Sequence, residues 1–311
     1  MTKARPLLPI ADRSDLMIQI TDDQSRTLMD TSESITFHSA SGAASETRHV
    51  YLQNSGVLER LSRGLSTSVL EVGLGTGMGL LMTLDAAISS GISIHYHAID
   101  QRLLESEIIG ALKIEEQLKN KWLVSAFLAW RNSLGQTVKD GEYLWTVPKE
   151  YDSSESPDLH SGNQIPSHRT ACGELPNDDD KNESVCHSAG WGEKENAVIS
   201  TVKVTVRDFR DVVLDTKAGY DAVYYDPFAP AASPELWQAV CLRHVRESMQ
   251  SDGVLSTYCV SRQVREVFER AGFSVNRVRG PVGGKREVLV ARPQIAGRTN
   301  PGIEGFEVEE R

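Results

Sequence analysis

The chain has 311 residues, 40% of them hydrophobic, and carries 33 Lys and Arg against 43 Asp and Glu, a formal charge of −10. That length and apolar content call for a globular protein with a buried core in one large or two small domains, not a disordered chain. No apolar run reaches the roughly 18 residues of a membrane span, and "MTKARPLLPIADRSD" has neither the apolar stretch nor the cleavage site of a secretory signal, so no membrane partner and a cytoplasmic location are expected.

In chain order, "MIQITDDQSRTLMD" shows two alternating runs around a polar turn and reads as a hairpin within a lead-in segment, residues 1–60. "STSVLEVG" and "SIHYHAID" read as strands, and between them "GMGLLMTLDAAISS" sets Leu80, Leu81, Leu84 and Ile88 at helical spacing. "RLLESEIIGALKIEEQL" is expected as one helix, and "AVISTVKVTV" and "YDAVYYD" as strands. "SPELWQAVCLRHVRESM" is expected as a helix opened by Ser233 with Pro234 at its first position. "GVLSTYC" is a strand, "SRQVREVFERAG" a helix ended by Gly272, and "FSVNRVRG" with "KREVLVAR" an antiparallel closing pair. Alternation of this kind implies an α/β fold with a doubly wound, mainly parallel sheet.

The acidity is uneven. Between Tyr151 and Asn196 stand ten acids and three bases in a segment rich in Ser, Asn, Asp, Gly and Pro, with no helix or strand period, so residues 151–196 read as a disordered or loosely ordered insertion. It holds His160, His168, Cys172, Cys186 and His187, but without the tight spacing of a metal clip, and no metal is expected. Residues 294–311 read as a flexible tail. The four cysteines form no CxxC pair and are expected as reduced thiols.

Four places carry chemistry. The loop in "LEVGLGTGMGLLM" places Gly73, Gly75 and Gly77 as G-x-G-x-G behind Glu71, whereas a nicotinamide fingerprint puts its third glycine one residue later. An acid beside the loop suits a cationic ligand better than a pyrophosphate. Asp100 ends the next strand, where a carboxylate binds ribose hydroxyls. Asp208, just past a strand in "VTVRDFRD", stands where S-adenosyl-L-methionine enzymes place an acid that accepts from the adenine amino group, and its spacing fits a solvated loop acid or the cap of a following helix as well. In "YDAVYYDPFAP" a strand delivers Asp226 to the carboxyl edge of the sheet, followed by Pro227 and Phe228. A carboxylate that takes a proton and an aromatic face that supports a base or a cation together fit methylation of an amine.

The loop spacing and the antiparallel strand closing a parallel sheet are similar to class I, Rossmann-like S-adenosyl-L-methionine (SAM) methyltransferases. "YYDPFAPAASPELW", "LEVGLGTGMGLL", "FHSASGAASETRHVYLQ" and "GGKREVLVA", in that family's order, further resemble the MnmC/MnmD-type methyltransferases, in a stand-alone form without an oxidase domain. The resemblance implies a methyltransferase domain over residues 61–293, SAM as cofactor, tRNA as partner and a wobble 5-aminomethyl-2-thiouridine as methyl acceptor. It implies Glu71, Gly73, Gly75, Gly77, Asp100 and Asp208 as cofactor residues and Asp226 as the catalytic acid or base. Glu46, Phe228, Lys285 and Arg286 would meet the substrate, with Ser39, Thr47 and Glu287 close by. The family usually has Ala or Gly at Pro227, Glu at Asp100 and Met at Val288. Outside the insertion and the tail the bases cluster as Arg277, Arg279, Lys285, Arg286 and Arg292, a local basic face for nucleic acid. Two alternatives stay open: SAM-dependent methylation of another amine, and a SAM- or RNA-binding protein without catalysis.

Overall fold

The computed structural model describes residues 5–32, 34–148, 200–217 and 219–294. The expected insertion at 151–196 and nearly all of the expected tail lie outside the described residues, as do Cys172 and Cys186.

The hairpin predicted near the start is present but is the middle of something larger. Strands β1 (Leu7–Ile10), β2 (Arg13–Ile20), β3 (Arg26–Asp30) and β4 (Ile35–Thr36) form an antiparallel sheet in the order β1-β2-β3-β4, with Met17 facing Met29 across the central pair. Period-two alternation turns Leu16, Ile18 and Leu28 into the core. At the turn Asp23 accepts from the Thr21 hydroxyl at 2.6 Å and from the Ser45 amide at 2.9 Å, which ties the hairpin to helix α1 (Ala43–Glu46). A π-helical run, Thr47–Gln53, and helix α2 (Val57–Ser62) follow.

The second sheet holds eight strands: β5 (Thr67–Val72), β6 (Ile94–Asp100), β7 (Gly141–Thr146), β8 (Thr201–Val206), β9 (Tyr220–Tyr225), β10 (Met249–Thr257), β11 (Phe273–Arg279) and β12 (Glu287–Pro293). Their order is β11-β12-β10-β9-β5-β6-β8-β7, parallel from β10 through β8. The antiparallel closing strand, β12, does not end the sheet as the sequence suggests. It inserts between β10 and β11, pairing antiparallel with both. The opposite edge is a second antiparallel strand, β7, beyond the strands expected from the sequence, in which Tyr143 and Trp145 alternate inward against Glu142 and Leu144.

Both faces are covered, so the central strands are apolar on both sides. In β9, Ala222 and Tyr224 face the layer of helices α3 (Met78–Ser89) and α5 (Trp122–Ser133), while Val223 and Tyr225 face helices α6 (Ala239–Ser248) and α7 (Arg262–Arg270). Val50, Tyr51 and Leu52 of the lead-in segment belong to the same core cluster as Leu80 and Tyr96.

Two predicted helices differ. The run expected as one helix over Arg102–Leu118 breaks into α4 (Ser106–Ala111) and a short 3-10 turn at Ile114–Gln117, because Lys113 adopts φ 51° and Arg26 takes the Ala111 carbonyl at 3.0 Å. Helix α6 begins at Ala239, not at Ser233. The Trp237 indole donates to the Phe228 carbonyl at 2.8 Å and the Tyr225 hydroxyl donates to the Leu236 carbonyl, which holds the preceding segment as turns. Helix α7 opens on Ser261, whose hydroxyl accepts from the Val264 amide, and Gly272 follows its end at φ 89°.

Candidate active site

The carboxyl ends of β5, β6 and β9 converge on a cleft of about 570 Å³, a volume suited to a small molecule. Its floor is set by one close approach. Gly73 leaves β5 at φ 94°, and a Cβ there would lie 2.5 Å from the Asp226 carbonyl oxygen. In return the Asp226 amide donates to the Val72 carbonyl at 2.9 Å. Only glycine allows the two strand ends to close up in this way.

The rest of the loop is read from its hydrogen bonds. Gly75 donates its amide to Asp100 Oδ2 at 2.9 Å, and Arg102 donates to Oδ1 at 3.2 Å. Burial raises the Asp100 carboxyl, and these amides pull it back. Gly77, at φ 77°, starts α3 and does not line the cleft. Gly79, overlooked in the sequence, has a plain steric role: a Cβ there would overlap Glu71 Oε1.

Glu71 therefore sits beneath the loop and is absent from the cleft wall. It is 4% exposed, and its Oε2 lacks a hydrogen-bond partner. Burial pushes it well above the usual carboxylate range, the charges of Asp226 and Asp100 add to that, and the Tyr96 hydroxyl opposes it. Asp208 also stays off the cleft wall. It caps the following 3-10 turn, accepting from the Arg210 amide at 2.9 Å and pairing with the Arg210 guanidinium at 2.6 Å, which lowers its carboxyl. The capping alternative describes this geometry, while Arg207 and Phe209 on either side line the cleft.

Asp226 does line it, with Pro227 and Phe228. Burial pushes its carboxyl up to about 7, while the Tyr51 hydroxyl and the Lys285 ammonium favour its ionised form. Across the cleft Glu46, 5% exposed, accepts from the Ser39 amide at 3.4 Å through Oε1, and its Oε2 is unpartnered. Burial, then the charge of Asp226, push Glu46 up to about 8. Lys285 lies 3.6 Å from the centre of the Tyr258 ring, a cation held over an aromatic face. Phe228, 42% exposed, meets Phe37 edge to face at 5.3 Å.

Of the remaining substrate residues expected, Ser39 lines the cleft while Thr47 is buried behind it. Arg286 is exposed outside, and Glu287 pairs with Arg277 at 2.9 Å instead of returning to the site. Tyr51, Tyr258, Phe37 and His38 were missed. The π-helical run explains Tyr51: i to i+5 hydrogen bonding widens the turn, so that Glu46 and a tyrosine five residues on both act on Asp226, a spacing that an α-helical pattern search passes over. His38, whose Nδ1 lies 3.0 Å from the Thr27 hydroxyl, is pushed down to about 4 by burial and so lines the cleft as a neutral imidazole.

Among the described residues no group of three or more His, Cys, Asp or Glu is placed to hold a metal, and no helix is long and apolar enough to cross a membrane. The cleft does fit SAM. The carboxyls of Glu46, Asp100 and Asp226 line it, and Glu46 Oε2 is a buried acceptor without a partner, which suits a ligand bearing an ammonium and a sulfonium.

Comparison with known proteins agrees with this chemistry. Residues 191–294 match the family described as S-adenosyl-L-methionine-dependent methyltransferase. The bifunctional MnmC proteins of tRNA 5-methylaminomethyl-2-thiouridine biosynthesis are relatives. That of Azoarcus sp. (strain BH72) is 39% identical over 85 residues, 27% of this chain and 13% of the relative. That of Saccharophagus degradans is 26% identical over 258 residues, 81% of this chain and 32% of the relative. The chain thus spans no more than about a third of the curated relatives it matches. Among solved structures, MNMC2 from Aquifex aeolicus superposes with a TM-score of 0.58 at 22% identity, covering 94% of this chain and 74% of the other, and shares the fold. The chain thus shares the fold of MNMC2 from Aquifex aeolicus, is similar along most of its length to part of the MnmC proteins, and over residues 191–294 matches the S-adenosyl-L-methionine-dependent methyltransferase family.

Proposed function

We propose that the protein transfers a methyl group from SAM to the amine of a wobble 5-aminomethyl-2-thiouridine in tRNA, in the cytoplasm. The observation that carries the reading is Asp226: a carboxylate at the end of β9, against the glycine floor, in a cleft rimmed by Phe37 and Phe228. Kinship with MnmC proteins, whose name states their role in tRNA 5-methylaminomethyl-2-thiouridine biosynthesis, supplies the acceptor.

Gly73, Gly75 and Asp100 would hold the cofactor: the first by letting the ends of β5 and β9 close up into the cleft floor, the last two as a hydrogen-bonded pair that presents a carboxylate to ribose hydroxyls. Glu71 acts from below, supporting the loop. When bound, SAM supplies a methyl group on a sulfonium, whose bond electrons stay with sulfur as the amine nitrogen takes the methyl. The protein's own work is positioning and proton handling. An alkyl ammonium arriving in the cleft meets Asp226 and Glu46, and ionised Asp226 takes a proton to free the nitrogen lone pair. Phe228 and Phe37 offer aromatic surface to the uracil ring, and Lys285, held over Tyr258, reaches the same space.

The rim can meet a nucleic acid. Arg279 ends β11 and Arg286 precedes β12, while Arg48 in the π-helical run is joined to them by its neighbour: His49 Nε2 lies 2.8 Å from the Arg279 carbonyl oxygen. Arg48, Arg279 and Arg286 are exposed, and no ion pair is formed by them among the described residues.

One observation favours a different amine acceptor. Pro227 removes a main-chain donor directly after Asp226 at the cleft wall. A single experiment separates the two readings: incubation with labelled SAM and tRNA lacking the modification, followed by nucleoside mass spectrometry. Formation of 5-methylaminomethyl-2-thiouridine supports the proposal, and no label in any tRNA nucleoside overturns it.

A further inference from the structure

The cleft contains one more acceptor than a proton transfer needs. Asp226 suffices to take the proton, yet Glu46 lies close enough for the two charges to oppose each other, is 5% exposed, lines the cleft and holds Oε2 without a partner. A buried carboxyl oxygen with nothing to accept from is costly whether or not the group is ionised, and the cost falls when a donor arrives. Ser39 occupies Oε1 only, at 3.4 Å, and the Lys285 ammonium is engaged over Tyr258.

A primary amine matches this arrangement. Its nitrogen carries two N–H groups and one lone pair, so with one N–H on Asp226 and the other on Glu46 Oε2 the lone pair is left for the incoming methyl. We infer that Glu46 is a specificity-determining residue that limits the enzyme to one methyl per amine. The inference rests on the functional reading above. Each transfer forms one N–C bond and releases one proton from nitrogen. The product amine therefore keeps a single N–H, and to present its lone pair again it must set the new methyl against one of the two carboxyls. That carboxyl is then buried without a donor, the condition under which a site rejects an analogue most strongly. In its neutral, reactive form an amine with two N–H groups satisfies both carboxyls, and one with a single N–H leaves one of them without a donor.

The test compares wild type, Glu46→Ala and Glu46→Gln on tRNA bearing the aminomethyl group. Two readouts are taken: the nucleosides formed on prolonged incubation with excess SAM, and the affinity of each protein, at a pH above the amine's own pKa so that the amine is uncharged, for substrate tRNA and for the same tRNA already carrying one methyl. Wild type is expected to stop at the monomethyl nucleoside and to bind product tRNA about tenfold more weakly than substrate. Glu46→Ala is expected to form the dimethylated nucleoside and to lose most of that discrimination. Glu46→Gln keeps an acceptor oxygen in place and is expected to stop at one methyl.

Dimethylation by wild type overturns the inference, as does an active Glu46→Ala that still stops at one methyl. Should Glu46→Ala be folded but inactive, undiminished discrimination between the two tRNAs overturns it. If it fails to fold, dimethylation by Glu46→Gln, or its loss of discrimination, does so. Absence of any transfer by wild type removes the functional reading itself, which distinguishes the two failures.

Discussion

The carbonyl oxygen of Asp226 lies 2.5 Å from the position a Cβ on Gly73 would occupy, so the glycine loop and the carboxylate segment are fitted to each other. A change at either place is felt at both. Gly73→Ala would face this overlap and a φ of 94°, together costing about 1–3 kcal/mol or more. The expected outcome is a lower melting temperature and SAM affinity reduced at least about tenfold, read by calorimetry. Gly64→Ala, also at positive φ but with open space around its Cβ, is expected to leave SAM affinity unchanged.

Asp226→Asn keeps shape and removes the base. Turnover should fall about 10²- to 10⁴-fold, the usual worth of a positioned acid or base, while the SAM dissociation constant stays within about threefold. An equal loss of SAM affinity would make Asp226 a cofactor ligand instead.

In wild type the base works only when ionised, and burial holds Asp226 near 7. The ratio kcat/KM should therefore rise with pH through about 7 and flatten above it. A rate already flat from pH 5 upward would exclude Asp226 as the group that titrates.

The raised carboxyls also act on stability. Glu46 holds its proton up to about 8 in the fold against an ordinary value of 4.5, so over that interval the folded state binds more protons than the unfolded one and stability falls as pH rises. Glu46→Gln removes this contribution. Its melting temperature should gain on wild type between pH 5 and pH 8 and show no such gain at pH 4, where the side chain is protonated in both states.

The exposed arginines should behave as phosphate contacts. Arg48→Ala and Arg286→Ala are each expected to weaken tRNA binding and to reduce the slope of log K against log salt by about 1, with SAM binding unaffected. Arg277, already paired with Glu287 at 2.9 Å, should show a smaller effect when replaced. Unaltered salt slopes in all three would place the tRNA elsewhere.

Much of the architecture could be read from local pattern. A strand, a glycine turn and a helix in succession, with β-branched and apolar runs between polar turns, are legible because each is set by residues adjacent in the chain. That reading places β5, β6, β8, β9 and β10 and locates Gly73, Asp100 and Asp226 at strand ends. It falters where contacts cross the chain. Helix α6 starts late because Tyr225 and Trp237 hold its approach, the Arg102–Leu118 run breaks where Arg26 takes a carbonyl, and β12 inserts between two earlier strands.

The same division runs through the site. By itself the sequence determined the kind of ligand, since the G-x-G-x-G turn and the acids at successive strand ends are local features whose chemistry does not depend on neighbours. Only the tertiary structure decided which acids face the cleft. Glu71 is drawn beneath the loop into the space left by Gly79, Asp208 is taken by Arg210, and Glu46, on a short helix far away in sequence, comes to lie near Asp226 with Tyr51 and Tyr258 around it. A side chain's direction depends on what packs against it, and for these residues the partners lie in segments that meet only when the two sheets and their helices close around one core.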